Sequence, residues 1–372
     1  MGALLKLVDK LLGTILILVA ILFKWLDHFI KPKDKKVLVV RLKTLGETLL
    51  TLPTIKKLSE EGFRISVLCS RENVDVFRRA GYIHEVLMVE EHLKLLKYLK
   101  HFDYCIDTEP FSRISTTLAF LFGKKSIGFD NIFLRKQVYS LGVEYRETHA
   151  VQNFSRLLTP LGIEFKPTGL VELSYSKEEE EAVEKMLEEL GLSGKMLIGV
   201  HASTGETTPW RAWKPERWSE LIKRVLDGYE NTMVLLTGTK SDEIINKRVM
   251  ESIRGREGVI DLTGKLGLGE LSCLMKKFRV FISNDTGPMH LAAAQGCRVI
   301  GLFGPNLPER FSPFGEGNTS IYKASKLSCS PCINVYRYEF RNCRFNGKCM
   351  DLISVEDVFK EVEEILKNRM PS

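Results

Sequence analysis

Phe281-Ile-Ser-Asn-Asp-Thr-Gly-Pro-Met-His-Leu-Ala-Ala-Ala294 changes its structural period halfway along, and the fold class follows from that change. Residues up to Ser283 close an apolar run of the kind that forms a buried strand. Pro288 then sits where a helix accepts it, in the first turn. A strand that passes through a short Gly-containing turn into a helix is the building unit of an open parallel α/β sheet. Asp285, Thr286 and Gly287 fall in that turn, at the carboxyl end of the strand, where such sheets bind ligands. Free amides at the helix start and the Thr286 hydroxyl suit a diphosphate, and Gly287 allows close backbone approach. His290, four residues after Thr286, shares its helical face. Asp285 could instead merely cap the helix, with His290 a satisfied neighbour. The small run Ala292–Ala294 behind His290 favours the ligand site.

Working outward, the same alternation recurs along the chain. Met196–His201, Thr232–Thr237, Val259–Leu262, Arg279–Ser283 and Val299–Phe303 read as strands with helices between them. An earlier series consists of Val37–Leu42, Arg64–Cys69, Glu85–Val89, Tyr104–Asp107 and Lys125–Phe129. Two such series predict two doubly wound domains, although no internal sequence repeat stands out. The expected division is 1–36 for an N-terminal anchor and basic linker, 37–175 for the first domain and 176–350 for the second. A final helix at 351–372 would follow, its apolar residues at helical spacing from Val355 to Leu366. Neither half carries a G-x-G-x-x-G fingerprint or a P-loop, which disfavours a dehydrogenase or a P-loop enzyme.

Two further loops could carry chemistry. After Met196–His201 comes a hydroxyl-rich stretch with Ser203, Thr204, Thr207 and Thr208, then Arg211 and Lys214 ahead of a helix starting near Pro215. A cation there could offset charge on a leaving phosphate; the plainer reading makes these surface cations beside packing residues Trp213 and Trp218. After Val37–Leu42 comes Lys43-Thr-Leu-Gly-Glu47. Glu47 at a helix start is comfortable with the dipole, or it takes a proton from an acceptor hydroxyl. Arg41 and Lys43 beside it could grip acceptor phosphates or carboxylates, as could Arg113. Cys329, Cys332, Cys343 and Cys349 crowd into a short basic segment. Structural zinc or iron–sulfur ligation, disulfides and free thiols are all open readings of that spacing. The other four cysteines lie in apolar runs, which argues for a reducing compartment.

The composition is that of a globular protein, 44% apolar and 27% charged, with a net charge of +7. Residues 1–36 hold seven Lys against three Asp, so more than half of that excess lies in one stretch. Leu11–Phe23 is an uncharged apolar run of 13 residues, short of the about 20 that a spanning helix needs. An embedded or in-plane membrane anchor, a single span, and a helix packed against protein all fit it. A basic apolar N-terminus points to anionic lipid, and no nucleic-acid signature is present.

At these residues the sequence resembles the lipopolysaccharide heptosyltransferases, glycosyltransferase family 9. The resemblance runs through VLVVRLKTLGETLLTLPTI (37–55), GVHAS to TPWRAWKPERWSEL, LLTGTKSDE and SNDTGPMHLAAAQGCRVIGLFGP, in order, over nearly all of 37–305. It implies a GT-B fold, with two Rossmann-like domains, an interdomain cleft and the final helix crossing back to the first domain. It also implies inverting transfer from ADP-heptose, or a related nucleotide sugar, to a lipid-linked core oligosaccharide at the cytoplasmic face of the bacterial inner membrane. No cofactor is required for that chemistry. Carried over by position, Asp285, Thr286, Gly287 and His290 would hold the diphosphate and nucleotide, with Ser203 and Thr204 in the hydroxyl-bearing loop. Arg211 falls where the family has a phosphate-contacting lysine. Glu47 falls where the family usually has the Asp taken as catalytic base, a departure that lengthens the carboxylate's reach by one methylene. A non-catalytic, membrane-bound nucleotide-sugar binder and a GT-B enzyme acting on a free nucleotide sugar are the rival expectations.

Overall fold

The computed structural model describes residues 2–205, 208–334, 339–340 and 343–367. It comprises two compact units, Met1–Pro167 and Thr168–Ser372. They part eight residues before the boundary expected at 175. The Gln295 side-chain amide explains the difference, because it pairs with both the N–H and the carbonyl of Leu173, at 3.1 and 3.0 Å.

The first unit holds six strands: β1 (Lys36–Val40), β2 (Arg64–Cys69), β3 (Glu85–Met88), β4 (Phe102–Asp107), β5 (Gly123–Phe129) and β6 (Leu141–Val143). The second holds β7 (Met196–His201), β8 (Thr232–Leu236), β9 (Val259–Asp261), β10 (Phe278–Asn284), β11 (Val299–Phe303) and β12 (Thr319–Tyr322). The sheet orders are β3-β2-β1-β4-β5-β6 and β12-β11-β10-β7-β8-β9, and all these pairings are parallel. Counted within its own unit, each sheet has the order 3-2-1-4-5-6 of a doubly wound fold. The chain therefore repeats a topology without repeating a sequence. The central strands are buried on both faces, which requires the continuous Val/Ile/Leu runs they carry. The short edge strands β6 and β12 escape sequence reading because few residues carry each pattern.

Two expectations meet a different arrangement. The anchoring helix expected in 1–36 is α1 (Gly2–Phe23), and among the described residues no helix is long and apolar enough to cross a membrane. Helix α1 packs on α3 (Arg113–Phe122) and α4 (Phe133–Val138), burying Ile17 and Ala20 with Phe120 and Val138. Contact is close because position 13 is glycine; a Cβ there would lie 2.7 Å from that of Arg113. Asp9 fastens the helix, accepting from Ser112 Oγ and the N–H groups of Arg113 and Ile114 at the start of α3. The last helix, Val355–Lys367, was expected to cross back to the first unit. Its apolar face instead closes the core of the second, where Val358, Phe359 and Val362 join the buried pair Trp213 and Trp218.

Just before β1 one carboxylate gathers the chain. Asp103, wholly buried, accepts from the N–H groups of Lys33, Asp34 and Lys36 and from Lys124 Nζ at 2.8–3.1 Å. Burial alone would raise its pKa, but these donors outweigh it and hold the carboxyl at about 2. Folded-state depression means that this stabilisation is present above the ordinary Asp range and is lost as the pH falls toward 2. Asp103→Asn should therefore lower stability at pH 7 by about 1–2 kcal/mol. It should also flatten the loss of stability between about pH 4 and pH 2, as read by urea unfolding across pH.

Candidate functional site

In an open α/β sheet the strand order reverses at one place, between the first and fourth strands, and the loops diverging there leave a crevice. Both groups of candidate residues fall on those loops. In the first unit they follow β1 and β4; in the second they follow β7 and β10.

In the first unit β1 delivers Arg41 into the interior, with no exposure to solvent. Its Nη2 pairs with Glu47 Oε2, its Nη1 donates to the Thr108 carbonyl at 3.0 Å, and its Nε lies 3.7 Å from Glu109 Oε1. Burial alone would lower the guanidinium pKa, but Glu109 and Glu47 reverse the shift upward, so the charge is kept. Glu109 also accepts from the Leu42 N–H at 2.8 Å. Asn73 holds the turn from below, donating to the Arg41 carbonyl and to Thr48 Oγ1 at 3.0 and 2.9 Å. Arg41 therefore has no surface with which to grip an acceptor; it organises Glu47 instead. Lys43 remains exposed beside it. Arg113 is engaged by α1, donating from Nη1 to the Lys10 carbonyl.

Glu47 lies in the first turn of α2 (Leu45–Glu60) and is 28% exposed. Thr44 Oγ1 donates to its Oε2 at 3.0 Å, so both of its contacts fall on one oxygen. Among the described residues, no hydrogen bond is made to Oε1. Thr44 itself has φ +62°, strained for a β-branched residue.

In the second unit the turn after β10 leads into α5 (Gly287–Ala294). The N-cap residue is Thr286, without a side-chain capping bond, so Asp285 is not spent as a cap. Asp285 is buried, and its Oδ2 receives Asn306 Nδ2 at 3.0 Å and Arg211 Nη1 at 3.4 Å. Thr286 Oγ1 lies 3.0 Å from Ser283 Oγ. Gly287 opens the helix, and His290 is buried one turn on. Asn284 joins the two loops, donating to the Ala202 carbonyl at 2.8 Å and accepting from the Trp213 N–H at 3.0 Å. Ser203 and Thr204 are buried between those points, with Thr204 Oγ1 on the Thr208 carbonyl. Thr207 lies outside the described residues. Lys214 turns away to Asp351 at 2.8 Å, leaving Arg211 as the cation on Asp285. Arg211, Asp285, Thr286, Gly287 and His290 thus belong to one turn-and-loop assembly rich in donors.

Glu109, Asn284 and Asn306 were not singled out in the sequence. Glu109 and Asn284 stand at or just past the carboxyl ends of β4 and β10, which flank the reversal points, and Asn306 follows β11, the next strand out; those positions would have marked them had the strand order been known. None of the four clustered cysteines forms a disulfide, and burial, with Cys332 and Cys343 nearby, pushes Cys349 up to about 12. Among the described residues no group of three or more His, Cys, Asp or Glu could hold a metal ion. The zinc or iron–sulfur reading of that spacing therefore finds no support in the geometry.

With this geometry in hand, likeness to known proteins is informative. The chain is 28% identical to lipopolysaccharide heptosyltransferase 3 of Escherichia coli K12 over 228 residues, 60% of this chain and 62% of that one. It spans about half the length of the curated relatives it matches. Its fold superimposes on that of E. coli ADP-heptose lps heptosyltransferase II with a TM-score of 0.71 at 19% identity, covering 89% of this chain and 98% of the other. The dodecameric iron-containing heptosyltransferase TibC of enterotoxigenic E. coli, solved with ADP-D-beta-D-heptose, gives 0.60 at 15% identity over 91% and 77% of the two chains. The sequence model of glycosyltransferase family 9 (heptosyltransferase) matches residues 92–339, which is 248 of the 372; the chain belongs to that family.

Proposed function

We propose that the protein is an inverting glycosyltransferase that moves a heptose, or a related sugar, from an ADP-sugar to a lipid-linked lipopolysaccharide core at the cytoplasmic face of the bacterial inner membrane. The observation that carries this reading is the half-committed Glu47 carboxylate. Oε2 is fixed by Arg41 and Thr44, while Oε1 accepts no hydrogen bond among the described residues. An oriented carboxylate with one free oxygen is what general-base catalysis asks for. The extra methylene of Glu relative to the family's usual Asp is consistent with its reach back to Arg41.

In this reading Glu47 Oε1 takes the acceptor hydroxyl proton as the hydroxyl oxygen attacks the anomeric carbon. The bond from that carbon to the diphosphate oxygen breaks, and its electron pair leaves with the nucleoside diphosphate. Arg211 and the amides at the start of α5 stabilise the departing charge. A single displacement inverts the anomeric centre. Ser203, Thr204 and His290 position the donor, and Lys43 supplies a cation for the acceptor. No cofactor enters these steps. The ADP-heptose bound to TibC supports the choice of donor.

Incubated with ADP-heptose and core lipid, the protein should release ADP, and Glu47→Gln should cut that rate by about 10²–10⁴-fold with donor binding preserved. Tight donor binding without turnover in the unaltered protein would favour a non-catalytic binder. ADP release that needs no acceptor would favour a hydrolase or epimerase. Arg41→Gln leaves two carboxylates without their buried partner and should cost about 3 kcal/mol in urea unfolding. Arg41→Lys, which keeps the charge but loses the fork, should recover part of that stability.

A further inference from the structure

Once α1 is docked, it presents an outer face that sequence reading could not separate from its inner one. Gly13, Ile17 and Ala20 are buried. Leu11, Ile15, Leu18 and Leu22 recur at i, i+4, i+7 and i+11 and are 51–73% exposed. With Leu12 and Val19 they cover an uncharged arc on the side opposite the buried residues, about 100° of turn per residue placing them together. Phe133, on the neighbouring α4, is 73% exposed. At the end of the helix Trp25 and Phe29 meet edge to face, both exposed.

The charges around this arc are sorted. Asp9 is turned inward onto the start of α3. Asp27 is buried, accepting from Lys100 Nζ at 3.2 Å and Ser140 Oγ at 2.6 Å. Lys10, Lys31, Lys33 and Lys35 are exposed. Asp34 is the exposed exception, 3.6 Å from Lys36. Folding thus engages two of the three acids in hydrogen bonds to the rest of the unit and leaves these four lysines exposed. A stripe of aliphatic side chains ending in a Trp/Phe pair and flanked by lysines matches a bilayer interface bearing anionic headgroups.

We propose that this outer face of α1 is a membrane-docking surface, on which the protein lies in the plane of an anionic phospholipid bilayer. A spanning orientation is disfavoured physically, because the opposite face of the helix is committed to α3 and α4 and lipid cannot surround it. The surface stands apart from the transferase reading, since none of its residues belongs to either candidate constellation.

Flotation of the full chain with vesicles of phosphatidylethanolamine and phosphatidylglycerol tests it, with phosphatidylcholine vesicles as the uncharged arm. Binding should favour the anionic vesicles by about tenfold or more and weaken with salt. Leu18→Glu with Leu22→Glu should abolish it, and Lys31→Gln with Lys33→Gln should remove most of the anionic preference. ADP binding and an unchanged melting temperature would show that the exposed substitutions spare the fold. Equal binding by the Glu variant, or no vesicle binding by the unaltered chain, overturns the proposal. So does a lipid-free dimer that the Glu variant dissociates, because a second copy would then be the occupant. Failure of vesicle binding with ADP release intact sinks this surface alone, whereas vesicle binding without ADP release sinks the transferase reading alone.

Discussion

A guanidinium shut away from water governs the first unit. Charge of that kind is stable inside a protein only with its counter-charges and hydrogen-bond acceptors in place, so Arg41 obliges Glu47, Glu109 and the Thr108 carbonyl to converge on it. Those partners come from the loops after β1 and β4, the two strands flanking the reversal of sheet order. One buried charge therefore ties the crevice-forming loops together and fixes the direction of Glu47. The strained Thr44 backbone, a cost of about 1–3 kcal/mol, is tolerated because its neighbours on both sides are held by this arrangement.

The second unit solves the same topological problem with a neutral group. Asn284 bridges the loops after β7 and β10 by one donated and one accepted bond, and it is wholly buried. That chemistry suits the proposed diphosphate site, which gains from keeping its cation near the surface and loosely held; Arg211 touches Asp285 at only 3.4 Å. Locking that cation between two carboxylates, as Arg41 is locked, would cancel the field that an anion is meant to meet.

Much of this is legible in the sequence. Arg64–Cys69, Met196–His201 and Val299–Phe303 are read to the residue because β-branched runs flanked by turn signals have no competing helical period. The Asp285 turn is legible because Gly287 and Pro288 punctuate it. The burial of Arg41 is not legible, since it depends on Glu109, which lies 68 residues further on. Helical spacing shows that the last helix has an apolar face, but the partner of that face is a tertiary fact supplied by Trp213 and Trp218. Likewise α1 is uncharged all round from Leu11 to Phe23, and the side that meets α3 is decided by the missing Cβ of Gly13 together with Asp9, which accepts from the N–H groups that open α3.

The Asn284 amide has one more consequence. Because a single side chain grips both the backbone before Ser203 and that of Trp213, the loop after β7 and the strand end beside the Asp285 turn share one rigidity. Ordering either segment largely orders the other, so the entropic cost of immobilising them around the proposed nucleotide is met while the chain folds and not when a ligand arrives. Removing that amide would then show up less as a lost contact than as slower, looser capture, with the two loops fluctuating independently.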